Sequence, residues 1–226
     1  MGQVAMGQNP AADDILATAR DVATLQNQNL TGNIRKGNQK IQVGLYLMGE
    51  KIQFTFLSSK TGKWEPFEMR LKEDHYDLLE KKDGKTVQFP DSKLGQAIEG
   101  TDLSYEDLAM HFLYWPNGTV VGSEKVKGQD CWKVRLQNPG KGGSYTLVYV
   151  WVHKKAGALM QVVGYNGESP AKALKQFLVN EIMKVGDAYT LREMRVSSFD
   201  PRTNTTVGLT YVEFDKPKAG GPQGVR

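Results

Sequence analysis

Few side chains in this sequence are of the types, and at the spacings, that carry out catalysis. The run Glu73-Asp74-His75-Tyr76-Asp77 offers carboxylates and an imidazole of the kind that hold a divalent cation. It opens a stretch of alternating polarity in which neighbouring side chains diverge, so it reads as a solvated charged turn. Asn138-Pro139-Gly140-Lys141-Gly142-Gly143-Ser144 has the composition of a phosphate loop. It lacks the G-x-x-x-x-G-K-[ST] spacing and joins two strand-like runs instead of opening a helix, and so reads as a flexible hairpin loop. His75, His111 and His153 belong to separate elements, and no H-E-x-x-H or G-x-S-x-G motif occurs. The single cysteine, Cys131, excludes an internal disulfide framework and a Cys-rich zinc site. A binding protein without catalytic residues, metal or cofactor is therefore expected.

Composition narrows the class further. The chain has 226 residues, 39% hydrophobic and 24% charged, with 29 Lys+Arg against 25 Asp+Glu for a net charge of +4. That suits a globular chain with a sizeable core. Lys and aromatic residues interleave in Lys60–Arg70 and Lys81–Phe89, but acidic residues are mixed into both stretches, so nucleic acid is not an expected partner. No apolar run reaches the roughly 20 residues of a membrane-spanning helix. Residues 1–10 carry neither a charged n-region nor an apolar h-region, which leaves a cytosolic protein or one whose secretory signal has been removed. They are expected to be flexible, and residues 217–226, which carry Gly, Pro and Lys, to form a disordered tail.

The elements that would position any site follow from periodicity. Asp13 and Asp14 precede Ile15, Leu16, Ala19, Val22 and Ala23 at helical spacing, predicting a helix from about Ala11 to Gln26. Alternation then predicts strands at Ile41–Met48, Ile52–Phe56, Phe67–Leu71, Tyr76–Glu80 and Lys85–Phe89, with Gly49-Glu50 and Asp83-Gly84 as tight turns. Ser104 three residues before Asp107 starts a short helix that ends before Pro116. Further strands follow at Thr119–Val126, Cys131–Gln137, Ser144–Val152, Leu159–Tyr165, Thr190–Ser198 and Thr205–Phe214. The alternation of Cys131, Lys133 and Arg135 puts Cys131 on a polar face. Leu174, Phe177, Leu178, Glu181, Ile182 and Val185 nearly fit a helical stripe behind Ser169-Pro170, so the pattern alone favours a helix over 171–185.

These elements make a mainly β chain, with one large antiparallel sheet that must curl and few helices to cover it. An apolar concave face is filled by side chains, covered by helices, or left as a cavity. Leu45, Leu47, Phe54, Phe56, Phe67, Met69 and Leu71 are its candidate lining, and a packed core is the ordinary fate of each alone.

Two stretches carry a family resemblance. Gly100-Thr101-Asp102-Leu103-Ser104-Tyr105-Glu106-Asp107-Leu108 resembles the G-S/T-D-hydrophobic-S/T-Y-E-D-L signature of outer-membrane lipoprotein-sorting proteins, in the LolA/LolB-like superfamily. Gly122 to Trp132, GSEKVKGQDCW, is similar to that family's hairpin G-x-E-x-V-x-G-x-x-C-W/Y. Val148–Met160 resembles its W-V/I-D-K strand and turn, with His153 where the family has Asp and Leu159-Met160 where it has Leu-Pro. The resemblance spans residues 11–216 as one lipid-carrier domain. It implies an incomplete antiparallel β-barrel of about eleven strands with helices lidding a hydrophobic cavity. It implies a monomeric periplasmic carrier that moves lipoprotein acyl chains or lipid between inner and outer membranes, with an inner-membrane export machinery and an outer-membrane acceptor as partners. A non-catalytic envelope module with a packed interior is the alternative. For residues 171–185 it implies a strand. Trp132 joins the expected lipid-binding wall, and Leu103, Leu108 and Phe112 the lid. It also implies a cavity arginine that bonds the lid, a role no local motif assigns to Arg35, Arg70 or another position.

Overall fold

The structure, a computed structural model, describes residues 10–24, 27–72, 75–82, 84–140, 142–167, 172–186 and 188–217. The expected flexible segment 1–10 and tail 217–226 lie outside these residues, save for Pro10 and Pro217. So do Glu73, Asp74, Asp83 and the proposed helix start at Ser169-Pro170.

The sequence folds as helix α1 (Ala12–Thr24), strands β1 (Asn27–Lys36), β2 (Gln39–Met48), β3 (Lys51–Leu57), β4 (Trp64–Leu71), β5 (Tyr76–Lys82) and β6 (Lys85–Gln88), then a covering segment. That segment holds the short helix α2 (Tyr105–Ala109) and single 3-10 turns on either side of it. Strands β7 (Thr119–Val126), β8 (Gln129–Gln137), β9 (Leu147–His153), β10 (Leu159–Tyr165), β11 (Ala173–Val185), β12 (Ala188–Phe199) and β13 (Thr206–Phe214) follow. All thirteen form one antiparallel sheet in the order β6-β5-β4-β3-β2-β1-β13-β12-β11-β10-β9-β8-β7. The sheet curls but stays open between β6 and β7, so it is the incomplete barrel expected, with two more strands. The connection between those two edge strands, residues 89–118, is the segment that covers the interior.

Two expectations need correction. The segment expected to be helical is a strand over Ala173–Val185: β11 pairs with β10 from Gln161↔Leu178 to Tyr165↔Ala173 and with β12 from Lys175↔Ser198 to Val185↔Ala188. Partners on both sides override a near-helical stripe, because ladder hydrogen bonds and sheet burial outweigh local propensity. Cys131 does share its face with Lys133 and Arg135, yet it is fully buried there. A second small cluster of Val126, Trp151, Met160 and Val163 covers it on the convex side.

Helix α1 lies against the concave side. Asp13 and Asp14 sit in its first turn, where they complement the helix dipole, and Ala12, Ile15, Leu16 and Ala19 face inward. Burying Ile15 and Leu16 contributes about 2 kcal/mol each. A side chain at Gly118 would crowd Ala12 and Leu16, and one at Gly157 would overlap Thr18. The helix thus runs from the start of β7 to the β9–β10 turn. The main core lies between it, the covering segment and the strands β8–β9 and β12, where Val134, Leu136, Val148, Val150 and Val196 are wholly buried.

Candidate functional site: a lidded apolar cavity

Where β2–β4 and β10–β13 curve toward each other, the interior is not filled. A cavity of about 700 Å³ remains, within the usual range of ligand pockets, roughly 300–1,000 Å³. One wall is a continuous apolar patch set by register: Leu45 faces Phe54, Phe54 faces Phe67, Leu47 faces Ile52, and Ile52 faces Met69. Strand pairing stacks these side chains on one face because alternate residues share a face. The opposite wall comes from Val162, Phe177, Met194, Val212 and Phe214.

Of the expected lipid-binding residues, Leu45, Leu47, Phe54, Phe67, Met69, Leu71 and Leu108 line this cavity. Phe56 lies on the same face one step further along and is buried beneath Tyr105, ring centroids 6.1 Å apart. Leu103 and Phe112 are buried within the lid's own packing. Trp132 carries Lys154 on its ring, 3.8 Å from the centroid, and does not line the cavity. Sequence reasoning missed the β10–β13 wall, because reading 171–185 as helical took Phe177 out of alternation.

The lid is held by polar bonds, and these occupy the residues of the Gly100–Leu108 signature. Ser104 caps α2: its hydroxyl accepts from the Asp107 amide and the Asp107 carboxylate accepts from the Ser104 amide, 2.7 Å. The same buried carboxylate accepts from the Tyr145 hydroxyl and from Lys175 Nζ, each at 2.5 Å. Burial, with Asp107 beside it, pushes the Tyr145 hydroxyl well above its usual range, which keeps it a donor. Glu106, fully buried, accepts from the Ser144 amide at 2.9 and 3.0 Å. The loop with phosphate-loop composition therefore has one of its amides already bound to a carboxylate. Asp102 exchanges two bonds with Thr210 of β13, 3.0 and 2.8 Å, and pairs with Lys36 at 3.2 Å. A side chain at Gly208 would overlap the Asp102 carboxylate, so this staple requires glycine there. Glu99 accepts from Ser58 and Ser59 of the β3–β4 turn. Desolvation pushes the Tyr105 hydroxyl up to about 12.

The distal lid, His111–Tyr114, is attached more lightly. Arg20 of α1 lines the cavity, donates to the Leu113 carbonyl at 2.6 Å and sits 4.9 Å from the Tyr114 ring centroid. Arg20 thus bonds the covering segment from the cavity side. Arg35 instead pairs with Glu213 on the other face of the sheet, and Arg70 with Glu68. His111 meets Trp115 edge to face, ring centroids 5.4 Å apart, and desolvation holds its imidazole below the ordinary histidine range.

An apolar container under a polar-stapled lid can sequester a hydrophobic guest. A family model described as an uncharacterized protein matches residues 68–219. The chain belongs to that family. Its fold is that of LolA-superfamily proteins. A putative outer-membrane lipoprotein-sorting protein domain from Vibrio parahaemolyticus is 14% identical, over 94% of this chain and 96% of that one, with a TM-score of 0.66. A LolA superfamily protein from Nitrosomonas europaea is 11% identical over 92% and 93%, TM-score 0.64. A DUF1329 family protein from Desulfovibrio piger is 16% identical over 93% of each chain, TM-score 0.61. No curated protein matches the sequence.

Proposed function

We propose that this protein is a periplasmic carrier that shelters the acyl chains of a lipoprotein or lipid and moves them between the inner and outer membranes. The observation that carries this reading is the apolar cavity of about 700 Å³, which the protein's own side chains leave open. A packed interior, as in a purely protein-binding module, would have closed it. Removing an acyl chain of about sixteen carbons from water contributes on the order of 12 kcal/mol gross, at roughly 0.8 kcal/mol per CH₂. The carrier is not an enzyme: its cavity is mostly apolar, and among the described residues its polar lining pairs no nucleophile with a base. It takes its cargo from an inner-membrane machinery and yields it to an outer-membrane acceptor, and release follows opening of the lightly attached distal lid.

Native mass spectrometry of protein purified from a bacterial envelope tests this. Co-purified lipid or acylated peptide, displaced by a fluorescent fatty acid, is expected. Protein that carries no lipid and binds no fatty acid would overturn the reading.

A further inference from the structure

The cavity has one polar pole, and its position is unusual. Besides inward-facing residues, the cavity is lined by Lys127 of the β7–β8 turn and by Gln129, His153, Gln161, Asn180 and Glu181 of β8–β11, with Gln129 and His153 on the convex face. The two sets join because the β10–β11 ladder runs from Tyr165↔Ala173 only as far as Gln161↔Leu178, whereas β11 continues to Val185. Beyond that pair no ladder joins the two strands, and Met160 and Val179, the next residues on each, both line the cavity, which leaves a slot there between the interior and the convex side. Lys127 reaches over this slot from the β7–β8 turn. Its ammonium donates to the backbone carbonyl and the side-chain oxygen of Asn180, both at 3.3 Å.

Charge at the slot is unbalanced in a way that points to the guest. Lys127 is exposed, and its partners are neutral oxygens. The neighbouring carboxylates are engaged elsewhere: Glu181 pairs with Arg192, Asp130 with Lys125, and Glu193 accepts from Asn180 Nδ2. His153 Nδ1 accepts from the Lys155 and Ala156 amides, which leaves Nε2 to donate to Gln129 Oε1 at 3.1 Å. Two weak bonds to neutral oxygens are readily exchanged for one charge-assisted bond to an anion.

We infer that the guest is an anionic amphiphile whose phosphate or carboxylate head sits on Lys127 at the convex mouth of the β10–β11 slot, while its chain passes through the slot into the cavity. This rests on the carrier reading and adds the class of head group and the place where it is held.

The test is displacement of the neutral probe N-phenyl-1-naphthylamine from the full-length protein by dodecyl phosphate and by dodecanol, which share a chain and differ in charge. Wild type should favour dodecyl phosphate about fivefold, the scale of one partly exposed ion pair. Lys127→Gln should erase that preference and Lys127→Glu reverse it, both leaving dodecanol unchanged. Lys133→Gln, whose lysine pairs with Glu124 away from the slot, should keep it. Equal displacement by the two ligands in wild type, or a preference that survives Lys127→Gln, would overturn the inference while leaving the carrier intact. Inorganic phosphate that blocks dodecyl phosphate at similar concentration would overturn it in favour of a free-anion site. Failure of the probe and of both ligands to bind would overturn the carrier reading itself.

Discussion

The lid segment 99–108 and the β2–β4 wall border the same interior and are built in opposite ways. The lid spends its functional-looking side chains on fixing itself: Glu99, Asp102, Glu106 and Asp107 each bond a different part of the sheet or its loops. The wall has almost no polar bonds and lines the cavity with Leu45, Phe54, Phe67 and Met69, of which Phe54, Phe67 and Met69 are otherwise buried. Residues that look chemical in the sequence are structural here, while residues that look like ordinary core form the site.

That contrast can be broken by mutation. Asp107→Ala removes the acceptor of the Ser104 amide, the Tyr145 hydroxyl and Lys175 together, and leaves Lys175 half-buried without its partner. It should cost about 3–5 kcal/mol of stability in urea unfolding. A loss below about 1 kcal/mol would show that the lid is not stapled to the sheet in this way. The wall should behave differently from the filled core beside it. Leu136→Ala, in a fully packed position, should cost about 3 kcal/mol, whereas Leu45→Ala, beside space already empty, should cost about 1 kcal/mol. Equal costs would mean the cavity is closed in solution.

Within the lid, the distal part should loosen first. Arg20→Ala removes a charged donor from the Leu113 carbonyl and should raise hydrogen exchange across His111–Tyr114 by about tenfold, equivalent to about 1.4 kcal/mol. Exchange at Tyr105–Ala109 should barely change. The smallest effect is with pH. Burial lowers the His111 pKa in the folded state below its ordinary 6.5, so the unfolded lid binds a proton first. Stability of the distal lid is then complete above about pH 7 and declines as pH falls through 6.5 toward the folded value. Glu68 and Glu99, whose pKa values are lowered from 4.5, add their losses only in more acid solution. His111→Phe should remove the exchange change between pH 7 and pH 5.5, approximately the histidine window.

Much of this fold was legible in the sequence, and its omissions have physical causes. The capping box at Ser104 and Asp107, helix α1 and the β2–β6 alternation were readable because local pattern and final burial agree there. Strand β1 was missed: of its inward residues Gln28, Leu30, Gly32 and Ile34, only two are apolar, and Gly32 is required because a side chain there would overlap the Glu213 carbonyl of β13. Strand β11 was misread on pattern and recovered only through the resemblance, because its identity depends on partners distant in the chain. The β2–β4 half of the cavity wall was visible as alternating apolar residues. Arg20 was not, since one arginine on an amphipathic helix carries no local signal of what lies opposite it.

The central claim is that the β2–β4 part of the concave face walls a container, beside a filled core, and Phe54→Asp tests it most directly. Phe54 lines the cavity in the middle of the wall, paired with Leu45 and Phe67. Near-UV circular dichroism and fatty-acid binding are measured on the same sample. A container predicts a native spectrum with binding reduced at least about a hundredfold, because a carboxylate in the acyl path costs several kcal/mol to desolvate. A variant that unfolds, or one that folds and binds as wild type does, would contradict the account.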